Sequence, residues 1–386
     1  RKESSAASDV YKRQHQLMGD FKIGAATLGL MSSVYFFSYA IMQIPAGILY
    51  DYFSPRVLIT ISAFVCAVGS FFFGATHTVE YAALGRLLMG AGSAFAFIGV
   101  LVIASRWFPP HYFAFLVGIA QLLAALGAFA GELPLAIFVN ASGWRAVMIF
   151  LSIIGFVLTL LSFFVIRDKP HEDKHLVKRH HIFAELKEIF KSAQTWWIAL
   201  YAFSGWGPVA LFAALWGIPY LMLRYGISNT WAASACAMIW IGIGITSPII
   251  GWISDKIGRR CVLIQICSFV GLFASLLILY VPNIPFSLMF LLLFCVGIAG
   301  GGQILTFALV KDNNRPFVTG TAIGLNNMAV VAGGAIFQPL IGFILHALWH
   351  GRMEENVPIY SLENYHIGLM LLPLCFLIGL IASTFL

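Results

Sequence analysis

Gly47-Ile48-Leu49-Tyr50-Asp51-Tyr52-Phe53-Ser54-Pro55-Arg56 has a later echo, Gly251-Trp252-Ile253-Ser254-Asp255-Lys256-Ile257-Gly258-Arg259-Arg260. Each copy closes a long apolar run, and another apolar run follows each. Both keep Gly-x-x-x-Asp followed by basic residues. On a helix, positions i and i+4 share a face, so the glycine opens a notch beside the aspartate. A carboxylate at a helix end can pair with an arginine or with the N-terminus of another helix. Charges near a membrane are costly if they only fill space, so these residues are read as parts of a latch. Two copies imply two related halves.

The composition places those halves in a bilayer. Hydrophobic residues make up 60% of the 386 residues and charged ones 10%, and the mean hydropathy is +0.89. A soluble domain carries about 25% charged residues, so the chain is read as an all-α polytopic membrane protein. The 34 Phe and 36 Gly suit lipid-facing surfaces and closely packed membrane helices. A net charge of +7 raises the question of a nucleic-acid partner. The basic residues are spread over short loops, however, so a positive-inside bias explains them and no nucleic acid is expected. The six cysteines, Cys66, Cys236, Cys261, Cys267, Cys295 and Cys375, lie in or beside apolar runs and form no C-x-x-C, so they are expected to be reduced packing residues.

Apolar runs long enough to span, about 20 residues each, fall at 26–49, 57–75, 80–104, 113–138, 146–166, 196–222, 230–253, 262–281, 286–309, 318–347 and 366–386. The first motif copy ends the first run, whereas the second ends the second run of its half. A twelve-helix plan with its first helix missing before residue 26 accounts for this, with His15–Gly24 as the loop that follows that helix. The expected organisation is a half at 15–166 holding helices two to six, a cytoplasmic linker at 167–195, and a half at 196–386 holding helices seven to twelve. Residues 1–14 are polar and lack a signal-peptide layout, so they are set apart as a non-native tail, with a native polar tail as the alternative. Alternate loops carry Arg56, Arg106, seven Lys/Arg between Arg167 and Lys191, then Lys256, Arg259, Arg260, Lys311 and Arg315. The opposite loops carry Arg145, Arg224 and Arg352. This split puts both motif copies and the linker in the cytoplasm.

In the linker, Ile182, Phe183, Leu186, Ile189 and Phe190 fall at helical spacing and predict an amphipathic helix on the membrane surface. His171, His175, His180 and His181 raise a metal-binding reading, but no cysteine or ordered ligand spacing accompanies them. A solvated loop is the expectation, with no metal and no cofactor.

These features resemble the major facilitator superfamily of secondary transporters, whose loop signature is approximately G-x-x-x-D-x-x-G-R-[RK]. The second copy fits it almost fully; the first has Ser54 and Pro55 where Gly and Arg are usual and retains Arg56. A further family motif, R-x-x-x-G-x-G, is matched by Arg86, Gly90 and Gly92. The antiporter motif of the fifth helix is half present: Gly118, Gly127 and Gly131 fit, but Glu132 replaces its proline, so antiport is not supported. The resemblance implies two pseudo-symmetric six-helix halves rocking about a central site by alternating access. It also implies cytoplasmic latches in which Asp51 works with Gly47, Arg56 and Arg106, and Asp255 with Gly251, Arg259, Lys311 and Arg315. Ala214-Leu215-Trp216-Gly217-Ile218-Pro219-Tyr220 and the stretch Asn327–Pro339 look like bacterial amino-acid and small-peptide transporters of this superfamily. The expected protein is a monomeric inner-membrane symporter or uniporter for an amino acid or short peptide, with a coupling proton as one option. An organic anion, a siderophore or a drug is the alternative solute, and a non-transporting sensor the alternative role. No H-E-x-x-H, G-x-S-x-G or P-loop pattern occurs, so an enzyme is not expected.

An ionisable residue inside the membrane is a functional hypothesis by default. Arg86 lies about seven residues into its helix, roughly 10 Å deep at the helical rise per residue. Glu132 lies at similar depth on the next, antiparallel helix, so the two can pair. A structural ion pair, a substrate anchor and a proton-coupling carboxylate all remain open readings. Tyr35, Tyr39, Trp206, Gln303, Asn326 and Asn327 are the other candidate lining residues, and as a set they favour a small polar solute with an apolar part. Gly205-Trp206-Gly207-Pro208 is expected to weaken its helix halfway across, because proline removes a backbone donor.

Overall fold

The computed structural model describes residues 20–21, 25–132, 138–139, 141–167, 182–349, 351, 353–354, 357–358 and 360–386. The tail at 1–14 and the four linker histidines lie outside the described residues. The described chain is almost wholly helical: α1 Ala25–Ile41, α2 Gln43–Tyr52, α3 Pro55–Ala75, α4 Val79–Trp107, α5 Phe113–Glu132, α6 Trp144–Val165 and α7 Ile182–Lys191. Then come α8 Ala193–Pro208, α9 Gly217–Tyr225, α10 Asn229–Ile257, α11 Arg260–Tyr280, α12 Phe286–Gly302, α13 Leu305–Asn313, α14 Thr319–Ala347, α15 Leu362–Leu369 and α16 Leu371–Ser383. A two-residue pairing, Met353–Glu354 with Val357–Pro358, precedes α15. Among the described residues, 11 helical stretches are long and apolar enough to cross a membrane, as the apolar runs require. They include α1 and α2 together from Ser33 to Tyr52, and α8 through α9 from Ala193 to Tyr225.

Local chemistry sets the breaks. Ser54 caps α3 by accepting from the amide of Val57, with Pro55 at the first helical position, where its missing N–H costs nothing. Gly258, at φ +72, ends α10 in the left-handed region, so the chain turns there before α11 begins. Pro208 ends α8 and is followed by a wide π-helical segment, Val209–Trp216, which is where the sequence predicts the weakened helix. A second interruption separates α12 from α13 after the run Gly300-Gly301-Gly302, with i to i+3 bonds from Gln303 N to Gly300 O and from Ile304 N to Gly301 O.

The chain forms two compact units. The first comprises Arg1–Pro110, Leu126–Lys191 and Asn314–Met328; the second comprises His111–Ala125, Ser192–Asn313 and Ala329–Leu386. These divisions differ from the halves expected at 15–166 and 196–386, because the beginnings of α5 and α14 each group with the opposite repeat. In the first unit α3 packs between α4 and α6, and α1 lies on α4. Phe73, Met89 and Ala82 form an apolar cluster there, with Trp144 against it. In the second unit α10 and α11 pack on α12, and α8 on α16, around Phe212, Tyr220 and Phe376. Large apolar side chains such as Phe164 and Phe343 face outward, at 71% and 72% exposure, as a lipid-facing surface requires. All six cysteines are free.

At the ends remote from the motif copies, each unit seals one helix with an arginine. Arg145 donates to the carbonyls of Gly74 and Thr76 at the end of α3. Arg224 donates to those of Ile278 and Val281 at the end of α11, where Tyr220 Oη also donates to Ile278 O at 3.1 Å. These carbonyls have no partner within their own helix, and a cation suits the negative end of the helix dipole.

In α7, Ile189 is buried while Phe190 is 37% exposed.

Candidate functional site

Arg86 reaches its position because of the glycine four residues later. A β-carbon on Gly90 would lie 2.3 Å from Tyr35 O and 2.1 Å from Ser38 Oγ, so α1 and α4 touch at a point where only glycine fits. That contact sets the Arg86 guanidinium 5.4 Å from the centre of the Tyr35 ring and 5.8 Å from that of Phe73. A guanidinium within about 6 Å of an aromatic face is attracted by the ring quadrupole. Gly92 does the same work against α3, where its β-carbon would meet Ser62 O at 2.7 Å. The spacing Arg-x-x-x-Gly-x-Gly is thus a packing code for three helices that carries an arginine on its first turn.

Tyr35 and Tyr39, one turn apart on α1, stack with centroids 6.2 Å apart and planes at 15°. The Tyr39 side chain hydrogen-bonds both Asn327 and Gln43. Asn327 Nδ2 donates to Gln43 Oε1 at 2.7 Å, and Gln43 Nε2 donates to the backbone oxygen of Tyr39 at 3.2 Å. Gln43, Asn326 and Asn327 are buried at 0%, 2% and 5% exposure, whereas Tyr35, Tyr39 and Arg86 are half-buried. The first unit therefore gathers Tyr35, Tyr39, Arg86 and Asn327 into one polar and aromatic cluster, and Asn326 is buried beside Asn327 in the same stretch of α14. Trp206 and Gln303 belong to the second unit. There Trp206 makes an edge contact with Trp240 at 6.2 Å, and Gln303 Nε2 donates to Thr306 Oγ1 at 3.2 Å, next to the α12–α13 interruption. The Glu132 side chain lies outside the described residues. Gln43 is the member not singled out from sequence, although its place four residues before Gly47 marks it.

Both motif aspartates, Asp51 and Asp255, bind the start of a helix. Asp51 accepts from the amides of Gly320 and Thr321, each at 2.7 Å, and from Thr321 Oγ1 at 2.6 Å. Asp255 accepts from the amide of Phe115 at 2.9 Å and also binds that of Ala114. In α14 and α5 alike these are the second and third amides, which lack a partner within the helix and lie at the positive end of its dipole. A short 3₁₀ turn opened by proline, Pro110–Tyr112 or Pro316–Val318, leads into each.

The basic residues depart from the expected pairing. Arg260, not Arg259, pairs with Asp255 at 3.2 Å, and it also pairs with Asp312 at 2.7 Å. The left-handed Gly258 leaves Arg259 exposed at the helix cap, while Arg260 begins α11 and folds back over Ser254 and Asp255. Arg56 donates to Phe163 O at 2.8 Å and lies over that ring at 4.4 Å, which ties it to α6. Arg106 donates to Tyr50 O at 2.6 Å and acts on Asp51 electrostatically. Lys311 Nζ lies 4.2 Å from the Phe113 ring and within electrostatic reach of Asp255, whereas Arg315 pairs with Glu188 of α7 at 3.5 Å. Gly118 meets Pro248 and Ser247, while Gly127 faces open space.

Comparison with known proteins gives the family. The Escherichia coli probable L-galactonate transporter is 25% identical over 350 residues, covering 84% of this chain and 76% of its own. The Cupriavidus necator probable sulfoacetate transporter SauU is 25% identical over 268 residues, covering 65% of this chain and 62% of its own. The solved structure of FucP, an MFS transporter in the outward conformation, superposes with a TM-score of 0.77 at 17% identity, covering 98% of this chain and 94% of that one, and shows the fold. The profile of the Major Facilitator Superfamily matches residues 14–338. With 11 helices among the described residues long and apolar enough to cross a membrane, paired loop motifs and a matching fold, the chain belongs to the Major Facilitator Superfamily, whose members are transporters and not enzymes.

Proposed function

We propose that this transporter carries a small organic anion, a sugar acid being the best-fitting class, across a bacterial inner membrane by alternating access. The observation that carries this reading is Arg86, a half-buried guanidinium over the Tyr35 ring beside the Tyr39–Gln43–Asn327 cluster. A guanidinium binds a carboxylate in bidentate fashion, and phenol and carboxamide groups hydrogen-bond hydroxyls. Beside phenol and carboxamide groups, the guanidinium suits a carboxylate that carries hydroxyls. Relatives named for L-galactonate and sulfoacetate support the anion over the amino acid or short peptide expected from sequence.

Purified protein in proteoliposomes tests this through uptake of radiolabelled L-galactonate. Uptake that Arg86→Met abolishes and Arg86→Lys partly retains is the expected result, because lysine keeps the charge without the bidentate fork. Uptake of dipeptides or amino acids with none of the sugar acid would overturn the anion reading. Binding without any flux would favour the sensor.

A further inference from the structure

Each motif copy begins one turn before its glycine: Gln43-x-x-x-Gly47-x-x-x-Asp51 and Ser247-x-x-x-Gly251-x-x-x-Asp255. The two copies build the same seam. In the first unit α2 lies along the start of α14. Asp51 holds the amides of Gly320 and Thr321, and a β-carbon on Gly324 would lie 2.4 Å from Gln43 O. At the far end Gln43 Oε1 receives the Asn327 amide at 2.7 Å. In the second unit α10 lies along the start of α5. Asp255 holds the amides of Ala114 and Phe115, and a β-carbon on Gly251 would lie 2.3 Å from Ala114 O, with one on Gly118 2.5 Å from Ser247 O. Gln121 stands where Asn327 stands in the first seam.

The last contact is missing from the second seam. Ser247 is fully buried, its Oγ makes no hydrogen bond among the described residues, and none joins it to the buried Gln121. The first seam is thus tied at both ends and the second at its carboxylate end, where Arg260 adds an ion pair.

We propose that Gln43 is a positioning residue for transport: its carboxamide pair with Asn327 locks the upper end of the first seam, so Asp51 stays docked until a solute competes for Asn327 and Tyr39. Tyr39 connects the two events. It hydrogen-bonds both carboxamides and stacks on Tyr35, over which Arg86 lies. A solute held by Arg86 and Tyr39 therefore reaches the pair directly, and undoing one bond frees the turn that carries Gly47. Among the described residues the second seam has no corresponding pair, so solute is sensed on the first. This rests on the transporter reading but not on the identity of the solute.

Hydrogen exchange of the purified full chain, measured without solute, tests the lock. Exchange reports local opening of the structure. In Gln43→Met, which keeps the length and removes the hydrogen bonds, the amides of Gly320 and Thr321 should exchange about fivefold faster, the size of one net hydrogen bond. Those of Ala114 and Phe115 should not change. Asn327→Leu should reproduce this, and the double variant should exceed neither single one, because both remove the same contact. The exchanged pair Gln43→Asn/Asn327→Gln preserves both carboxamides and their summed length, and should restore protection, which a purely space-filling role would not require. Ser247→Ala should leave all four amides at the wild-type rate. Unchanged Gly320 and Thr321 exchange in both Gln43→Met and Asn327→Leu would overturn the proposal, as would faster Phe115 exchange in Ser247→Ala. Adding the sugar acid of the uptake assay should accelerate Gly320 and Thr321 exchange in the wild type and have no further effect on Gln43→Met. If the solute-free results hold and the sugar acid has no effect, the solute assignment fails while the lock stands.

Discussion

Gly47 and Gly320 meet backbone to backbone: a β-carbon on Gly47 would lie 2.4 Å from Gly320 O, and one on Gly320 would lie 2.6 Å from Gly47 O. No side chain intervenes, so neither position can give way by changing rotamer. Asp51 can reach the first amides of α14 only because the two backbones come this close.

Gly47→Ala should therefore push α2 off the start of α14. Overpacking of this kind costs about 1–3 kcal/mol. The expected outcome is a protein that inserts and folds, with uptake reduced about tenfold or more and the amides of Gly320 and Thr321 exchanging faster. Wild-type uptake in Gly47→Ala would show that the close approach is not needed for transport.

Asp51→Asn and Asp255→Asn should slow uptake while leaving expression and solute binding largely intact. Hydrogen bonds to a charged group contribute about 1.5–3 kcal/mol, and an amide side chain keeps only part of that at a helix N-terminus. Asp255→Asn also removes one of the two carboxylates that face Arg260, leaving Asp312 and Ser254 Oγ, so its rate should recover in part in Asp255→Asn/Arg260→Met. Uptake rates equal to wild type in both single variants would rule out the latch role.

Arg224→Met removes donors from Ile278 O and Val281 O at the end of α11. Tyr220 Oη still donates to Ile278 O and Val281 is exposed, so the loss is that of hydrogen bonds from a charged donor, about 1.5–3 kcal/mol, and the melting temperature should fall by a few degrees. Uptake per folded molecule should stay near wild type, because the arginine lies in neither the polar cluster nor a latch. A melting temperature within one degree of wild type would refute the sealing role.

Arg86 and Glu132 make the sharpest pair of variants. If Glu132 neutralises Arg86, Glu132→Gln leaves a cation uncompensated at a cost of about 3–5 kcal/mol, and Arg86→Met/Glu132→Gln should regain that stability. If Glu132 instead carries a coupling proton, Glu132→Gln should fold well, lose concentrative uptake and keep solute exchange. Melting temperatures of the two variants beside the wild type separate these outcomes.

Much of the fold was legible because membrane spans are written in long apolar runs, and because a repeated charged motif between such runs is conspicuous. Asp51 and Asp255 stood out for that reason. Their arginines were harder to assign, since Arg259 and Arg260 are adjacent and the choice depends on which side of the left-handed Gly258 helix α11 starts. In the candidate site, Tyr35, Tyr39, Arg86 and Asn327 were recognisable as polar residues in apolar surroundings. Gln43 was not, since it stands at the break between α1 and α2 and its partner Asn327 is far along the chain. The solute class was illegible from the Ala214–Tyr220 and Asn327–Pro339 stretches because their residues mainly serve helix packing and helix interruption.

One such interruption is shared. Trp216 Nε1, at the end of the wide segment, donates to Gln338 O beside Pro339, and Gln338 Nε2 donates to Ala210 O within that segment at 2.8 Å. The wide segment thus supplies a donor to a carbonyl beside the proline of α14, and α14 supplies one to a carbonyl of the wide segment. A substitution that straightened either helix would strand a polar group on its neighbour. Natural variation at Trp216, Gln338 and Pro339 should accordingly be inherited as a block, with sequences either keeping all three or replacing them together.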